Sequence, residues 1–213
     1  MTEGNTLLTR RQAVAGVAVA ACLVGAGGVV TAGGSAWAES SAEVPKKQYG
    51  FLANSRRCVE CKCCVEACRA HNGEINGTAR RKIVSFESDF GVKLHMSVAC
   101  MHCAEPSCMA VCPAGAITKR NDGIVTVDPD RCIGCKYCYQ ACPFSVPRYG
   151  SEGMDKCDCC IGAGIEPGQD PYCVQACAFD ALVYGDLAEL KANPAYSDAK
   201  PVEASTKPSY LVK

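Results

Sequence analysis

The chain has 213 residues, 22 basic and 22 acidic side chains, and nineteen cysteines. That length supports one domain or two small interlocked ones, and the balanced charge gives no electrostatic basis for holding nucleic acid or an anionic membrane surface. A cysteine content this high places the chain among disulfide scaffolds or metal proteins.

Residues 1–38 read as a targeting segment. Arg10 and Arg11 precede an uncharged apolar stretch from Ala13 to Val30, and Ala36, Trp37 and Ala38 form a small-x-small site before Glu39. Basic, apolar and A-x-A regions in that order mark a secretory signal. Thr9, Arg10, Arg11 and Gln12 resemble the twin-arginine variant, with Ala13 and Val14 where that type carries a bulkier apolar pair. The expectation is a cleaved twin-arginine signal and export to the periplasm or the outer face of the cytoplasmic membrane. An uncleaved anchor is the alternative, because the segment is almost long enough to span. Val19, Ala20, Ala21 and Cys22 resemble a lipoprotein box that would lipidate Cys22, in competition with the A-x-A site downstream.

Residues 39–48 are polar and read as a linker. From 49 to 193 the cysteines recur in four groups. The first is Cys58, Cys61, Cys64 and Cys68. The second is Cys100, Cys103, Cys108 and Cys112, followed by Pro113. The third is Cys132, Cys135, Cys138 and Cys142, followed by Pro143. The fourth is Cys157, Cys160, Cys173 and Cys177. Between and after the groups, Gly123 to Asp128 and Ala181 to Tyr184 read as strands. Asp186 to Ala192 reads as a capped short helix stopped by Asn193 and Pro194. Residues 194–213 hold Pro194, Pro201 and Pro208 and little apolar content, so an irregular tail is expected there, mobile or draped on a partner.

The third group is the bacterial ferredoxin run C-x2-C-x2-C-x3-C-P. Residues three apart in a tight turn can point their sulfurs at one iron–sulfur cube. The fourth cysteine comes after a turn of helix, faces away, and ligates the cluster of a paired run. Four groups make two pairs, and sixteen cysteines at four per cluster make four [4Fe–4S] clusters. A disulfide framework would not repeat this triplet with Cys-Pro behind it. Zinc ribbons fit the fourth group alone, and thioredoxin-like chemistry needs a βαβ context that is absent. Each four-thiolate cluster carries roughly −2 when oxidised, so four would make the protein distinctly acidic. Metal insertion is coupled to folding, so a loaded chain must cross a membrane already folded, which suits a twin-arginine signal.

Cys63 and Cys159 are left over beside proposed ligands and read as buried, inert thiols. With a shorter loop Cys63 could replace Cys64, or Cys159 replace Cys160; the x2 spacing is adopted. Arg57, Lys62, Arg131 and Lys136 flank the motifs and read as solvated charges rather than as groups that raise a cluster's potential. His71, His95 and His102 are isolated, with His102 in a supporting position inside the second group. No catalytic constellation is legible, so the chain reads as a non-catalytic electron-transfer protein.

The stretch from Tyr49 to Leu190 resembles the iron–sulfur subunit of the dimethyl sulfoxide reductase family of molybdopterin enzymes. The resemblance is carried by Cys58 to Cys68, Cys100 to Cys108, Val111 to Ile117, Asp122 to Asp128, Cys132 to Cys138, Ala141 to Phe144 and Lys156 to Cys160. It implies an α+β fold of two interlocked, bacterial-ferredoxin-like dicluster modules with much irregular loop. It also implies nested pairing, first group with fourth and second with third. One cluster would take Cys58, Cys61, Cys64 and Cys177; a second Cys68, Cys157, Cys160 and Cys173. A third would take Cys100, Cys103, Cys108 and Cys142; the fourth Cys112, Cys132, Cys135 and Cys138. Some relatives have tryptophan in place of the third cysteine of the third group and hold a three-iron centre there; Cys138 is intact. Neither Cys68 nor Cys177 is followed by proline. The implied role is a relay between a molybdopterin-type catalytic subunit and a membrane quinol-interacting subunit or cytochrome. The alternative is a free-standing exported polyferredoxin.

Overall fold

A computed structural model describes residues 47–213. The expected targeting segment of residues 1–38 and most of the expected linker lie outside the described residues. Twelve strands run in chain order: β1 (Tyr49–Ala53), β2 (Glu74–Ile75), β3 (Thr78–Ala79), β4 (Lys82–Glu87), β5 (Lys93–Val98), β6 (Ile117–Lys119), β7 (Val125–Val127), β8 (Arg148–Gly150), β9 (Gly153–Asp155), β10 (Leu182–Asp186), β11 (Lys200–Pro201) and β12 (Tyr210–Val212). Five α-helices accompany them: α1 (Cys63–Asn72), α2 (Ser107–Ala110), α3 (Tyr137–Ala141), α4 (Tyr172–Gln175) and α5 (Leu187–Ala192). Helices, small sheets and long connections give the α+β architecture expected from the sequence. No helix among the described residues is long and apolar enough to cross a membrane.

Four of the strands form one sheet in the order β10-β1-β12-β11. β1 lies antiparallel to β10, with Ala53 opposite Leu182, and parallel to β12, with Phe51 opposite Tyr210. Phe51, Leu52, Tyr210 and Leu211 are all buried. Alternate residues of a strand face opposite sides, so two cores form. Phe51, Tyr184 and Tyr210 pack on one face, with ring centroids 5.0 and 6.0 Å from Phe51. Leu52, Leu190 of α5 and Leu211 pack on the other. Gly50 is required by a close approach: a Cβ there would collide with the Ser209 carbonyl oxygen.

The tail is therefore not irregular as expected. Tyr210–Val212 is an internal strand, and three apolar residues between two exposed backbones gain more from burial than the nearby prolines cost. Pro201 sits on the edge strand β11, where a missing N–H does least harm. Gln48, assigned to the linker, is anchored too: its side-chain amide donates to the His102 and Gly123 carbonyls at 3.1 Å each. The expected strands appear as β7 and β10, and the expected helix as α5. Asp186 caps it by accepting from the Ala188 N–H at 2.8 Å.

The remaining strands are two-stranded hairpins. β4 and β5 pair along six positions from Lys82–Val98 to Glu87–Lys93, while β6 and β7 pair Ile117 with Val127. β2–β3 and β8–β9 are shorter. Helix α1 packs against α4, and α2 against α3, so each helix pair joins two cysteine groups.

Candidate metal-cluster centres

All eighteen described cysteines are free thiols. The loop of the first group turns through left-handed residues at Glu60 (φ 58°) and Lys62 (φ 63°). The third group does the same at Gly134 (φ 66°) and Lys136 (φ 66°). Glycine takes this conformation freely, whereas glutamate and lysine adopt it against a steric cost of about 1–2 kcal/mol each. Repeated left-handed turns make the concave N–H nests that hold iron–sulfur clusters. Lys62 and Lys136 then serve as the N-cap residues of α1 and α3. Cys64 and Cys68 are both buried on α1, one turn apart.

Cys58, Cys61, Cys64 and Cys177 line one cavity, with Val59, Ile83, Ser97 and Phe179 among its walls. Cys112, Cys132, Cys135 and Cys138 line another, with Ile117, Tyr149 and Met154. Cys68, Cys157, Cys160 and Cys173 come together in a third place. Burial pushes the Cys68 thiol up to about 11 and the Cys173 thiol up to about 12, and the neighbouring thiols of the set add to both. Cys100, Cys103, Cys108 and Cys142 form the fourth set, where burial followed by the other three thiols raises Cys108 to about 12. In the expected two-module organisation the first and third of these places belong to an outer module, and the second and fourth to an inner one.

This donor chemistry fits metal clusters. Burial and mutual repulsion both resist ionisation of four clustered thiols. Four thiolates are stable in such surroundings around a multiply charged metal centre, whose binding is then part of the folding free energy.

Polar groups are aimed at the sulfurs. The Ser97 hydroxyl lies 3.3 Å from Cys64 Sγ. The Asn72 amide donates to Cys160 Sγ at 3.4 Å, and its oxygen accepts from Arg80 at 2.9 Å. The Tyr149 hydroxyl is 2.7 Å from Cys138 Sγ, and the Met154 N–H donates to Cys132 Sγ at 3.4 Å. Such contacts and nearby charge are how a protein sets cluster potentials.

His102 is wholly enclosed and adopts φ 40°. Its Nδ1 accepts from the Val125 N–H at 3.0 Å, which assigns the proton to Nε2, 3.2 Å from Cys159 Sγ. Burial holds the imidazole below its ordinary range and so neutral. Cys159 donates its N–H to Cys157 Sγ at 3.4 Å. Burial drives the Cys159 thiol well up, and a hydrogen bond from Cys159 holds Cys157 well below the usual thiol range, so Cys159 keeps the proton. His102, Cys157 and Cys159 lie close enough together to chelate a metal, but Cys157 already belongs to a set of four. Cys159 is thus the enclosed thiol that the sequence suggests, whereas Cys63 is exposed on the first turn of α1.

Arg57, Lys62, Arg131 and Lys136 are exposed; Arg57 pairs with Asp180 at 3.0 Å. The enclosed cations are others. Arg81 is 1% exposed and Lys156 3%, and the Lys156 ammonium donates to the Val125 carbonyl and, at 3.0 Å, to the Cys157 carbonyl. Lys156 adjoins a cysteine in sequence, and that adjacency was a usable signal. Arg81 lies 13 residues beyond Cys68, at the base of the β4–β5 hairpin, and only the fold brings it in beside Ser97, which stands three residues before Cys100.

A family model described as a 4Fe-4S dicluster domain matches residues 92–187. The protein is similar to the B subunit of the anaerobic dimethyl sulfoxide reductase of Escherichia coli (strain K12), 41% identical over 157 residues, covering 68% of this chain and 76% of that protein. It is 39% identical over 151 residues to the thiosulfate reductase electron transfer subunit PhsB of Salmonella typhi, covering 67% and 78%. Protein NrfC of Escherichia coli (strain K12) is 36% identical over 186 residues, covering 84% and 80%.

Proposed function

The chain belongs to the family of iron–sulfur electron-transfer subunits that includes the B subunit of dimethyl sulfoxide reductase, and from that premise we propose that it relays electrons through four [4Fe–4S] clusters within an oxidoreductase complex. The observation that supports this reading is that Cys58, Cys61, Cys64 and Cys177 line one cavity and Cys112, Cys132, Cys135 and Cys138 another. On this reading Cys58, Cys61, Cys64 and Cys177 hold one cluster, and Cys68, Cys157, Cys160 and Cys173 a second. Cys100, Cys103, Cys108 and Cys142 hold a third, and Cys112, Cys132, Cys135 and Cys138 the fourth. When bound, such clusters supply reversible one-electron chemistry.

The protein's own residues bury Cys64, Cys68, Cys100, Cys138, Cys157, Cys160 and Cys173 and aim donors at several of the sulfurs. The relatives are subunits of reductases, one of them named as an electron transfer subunit, which supports a role in electron transfer within a complex. Cys61 and Cys135 are the exposed cysteines of two different sets, one in each module. Val59 and Phe179 stand exposed near the first, Ile133 and Tyr137 near the second. Exposed apolar groups beside a buried centre suit contact with redox partners. We assign those partners as a molybdopterin-type catalytic subunit and a membrane quinol-interacting subunit or cytochrome. We place the protein in the periplasm or on the outer face of the cytoplasmic membrane, on the strength of Arg10, Arg11 and the apolar run after them.

Anaerobic purification from the native source tests this. The expected result is four iron and four acid-labile sulfide for each of four clusters, in a complex with a molybdenum-containing subunit. Full iron in a lone monomer would overturn the subunit role in favour of a free-standing polyferredoxin. Colourless, iron-free protein would overturn both.

A further inference from the structure

Arg81 heads the large side chains that the fold encloses completely. A guanidinium removed from water needs compensating charge or a full set of hydrogen-bond acceptors. Among the described residues Arg81 has no carboxylate partner, and its Nη2 is buried with no hydrogen-bond partner at all. Its carbon centre lies over the Phe51 ring, 4.6 Å from the centroid. One strong acceptor is supplied: Nη1 donates to Ser97 Oγ at 3.1 Å. That oxygen is itself 3.3 Å from Cys64 Sγ. A Cys64 sulfur that serves as a ligand is a thiolate and can only accept, so the Ser97 hydroxyl hydrogen would then be directed to it. The Tyr210 hydroxyl, arriving on β12, donates to the Ser97 carbonyl and fixes the strand at that point.

The remaining counter-charge available to Arg81 is sulfur. Burial works against its positive charge, and the groups that support it are the thiols of Cys173, Cys157 and Cys64 together with the Tyr210 hydroxyl. Cys68 feels the same cation. Phe51, the ring beneath Arg81, packs in one buried cluster with Cys64 and Cys173, so the cation adjoins cysteines of both outer sets: Cys64 in one and Cys173 in the other.

We propose that Arg81 is a positioning residue for electron transfer, a fixed cation shared by the two outer clusters, which raises the reduction potential of both and reaches one of them through Ser97 and Cys64. This rests on the cluster assignment proposed above. Reduction adds negative charge to a cluster, so a cation and a hydrogen bond held at its ligands stabilise the reduced form more than the oxidised one. The reach is greatest where water is excluded.

The test is an EPR-monitored redox titration of the anaerobically purified, cluster-loaded protein, with iron and sulfide counted in every variant. Cys64→Ser marks which signal belongs to the set nearest Ser97. Ser97→Ala, which deletes one oxygen, should leave iron unchanged and lower that single potential, by about threefold in its equilibrium. Ser97→Thr should restore it. Arg81→Met should lower both outer potentials, by about tenfold in each one-electron equilibrium, or about 59 mV, and leave the inner pair in place. Unchanged potentials in Ser97→Ala at full iron would overturn the proposal, even if Arg81→Met fails to fold; so would a shift confined to the inner clusters. Unmutated protein without four clusters would instead overturn the function proposed above.

Discussion

In the inner module, Cys112 stands five residues before Ile117 and Cys132 five residues after Val127, and Ile117 and Val127 are cross-strand partners in the β6–β7 hairpin. In the outer module, Cys58 stands five residues after Ala53 and Cys177 five residues before Leu182, and Ala53 and Leu182 are partners across β1 and β10. One device, an antiparallel pair presenting a cysteine at each strand of its open end, thus serves twice. What differs is the chain between the strands. The inner pair is closed by a tight turn around Asp122 and Gly123, where the Gly123 N–H bonds the Arg120 carbonyl at 2.9 Å. The outer pair is closed only by the long stretch from residue 54 to residue 181. Loop-closure entropy rises only slowly with length, but a distant pair gains nothing from a local turn and needs a packed core. The aromatic and aliphatic clusters on the two faces of the β10-β1-β12-β11 sheet are that core.

Removing Pro208 to Lys213 should break this comparison most visibly. Tyr210 and Leu211 are buried, and loss of two such side chains costs about 2–5 kcal/mol each. The outer pair of clusters should be lost, about half the iron, while the inner pair remains; full iron in the truncated protein would show that the outer module does not depend on β12. Cys138→Ala is expected to do less, converting one inner cluster to a three-iron form or releasing it and leaving the outer EPR signals untouched. Unchanged iron and spectra would remove Cys138 from the ligands. Gly50→Ala is the mildest. Its Cβ would push against the Ser209 carbonyl, a strain of about 1–3 kcal/mol, so all clusters should assemble and the outer ones should bleach first on heating. Simultaneous bleaching would mean that the two modules melt as one.

The same contrast explains what could be read in advance. The four cysteine groups, β7, β10 and α5 with its Asp186 cap were legible because each is a local pattern of spacing, alternation or capping. β12 was not: Tyr210, Leu211 and Val212 are too few for a period, and the nearby prolines argue against order. Their strand character comes from β1, more than 150 residues away. Arg81 was invisible for a related reason, since nothing near it in sequence suggests sulfur, and Ser97, though three residues before Cys100, meets the sulfur of a different group, Cys64. The exposed Lys62 and Lys136 drew attention because they interrupt a motif, and their work there is to turn the backbone rather than to place charge.

β12 also has a bearing on synthesis. Every described cysteine lies upstream of Tyr210, so the outer thiols have all been translated before the strand that completes their enclosure exists. The growing polypeptide cannot seal its outer half early around missing or mismatched metal. It acts as a latch that engages only once translation has passed the last of its sulfurs.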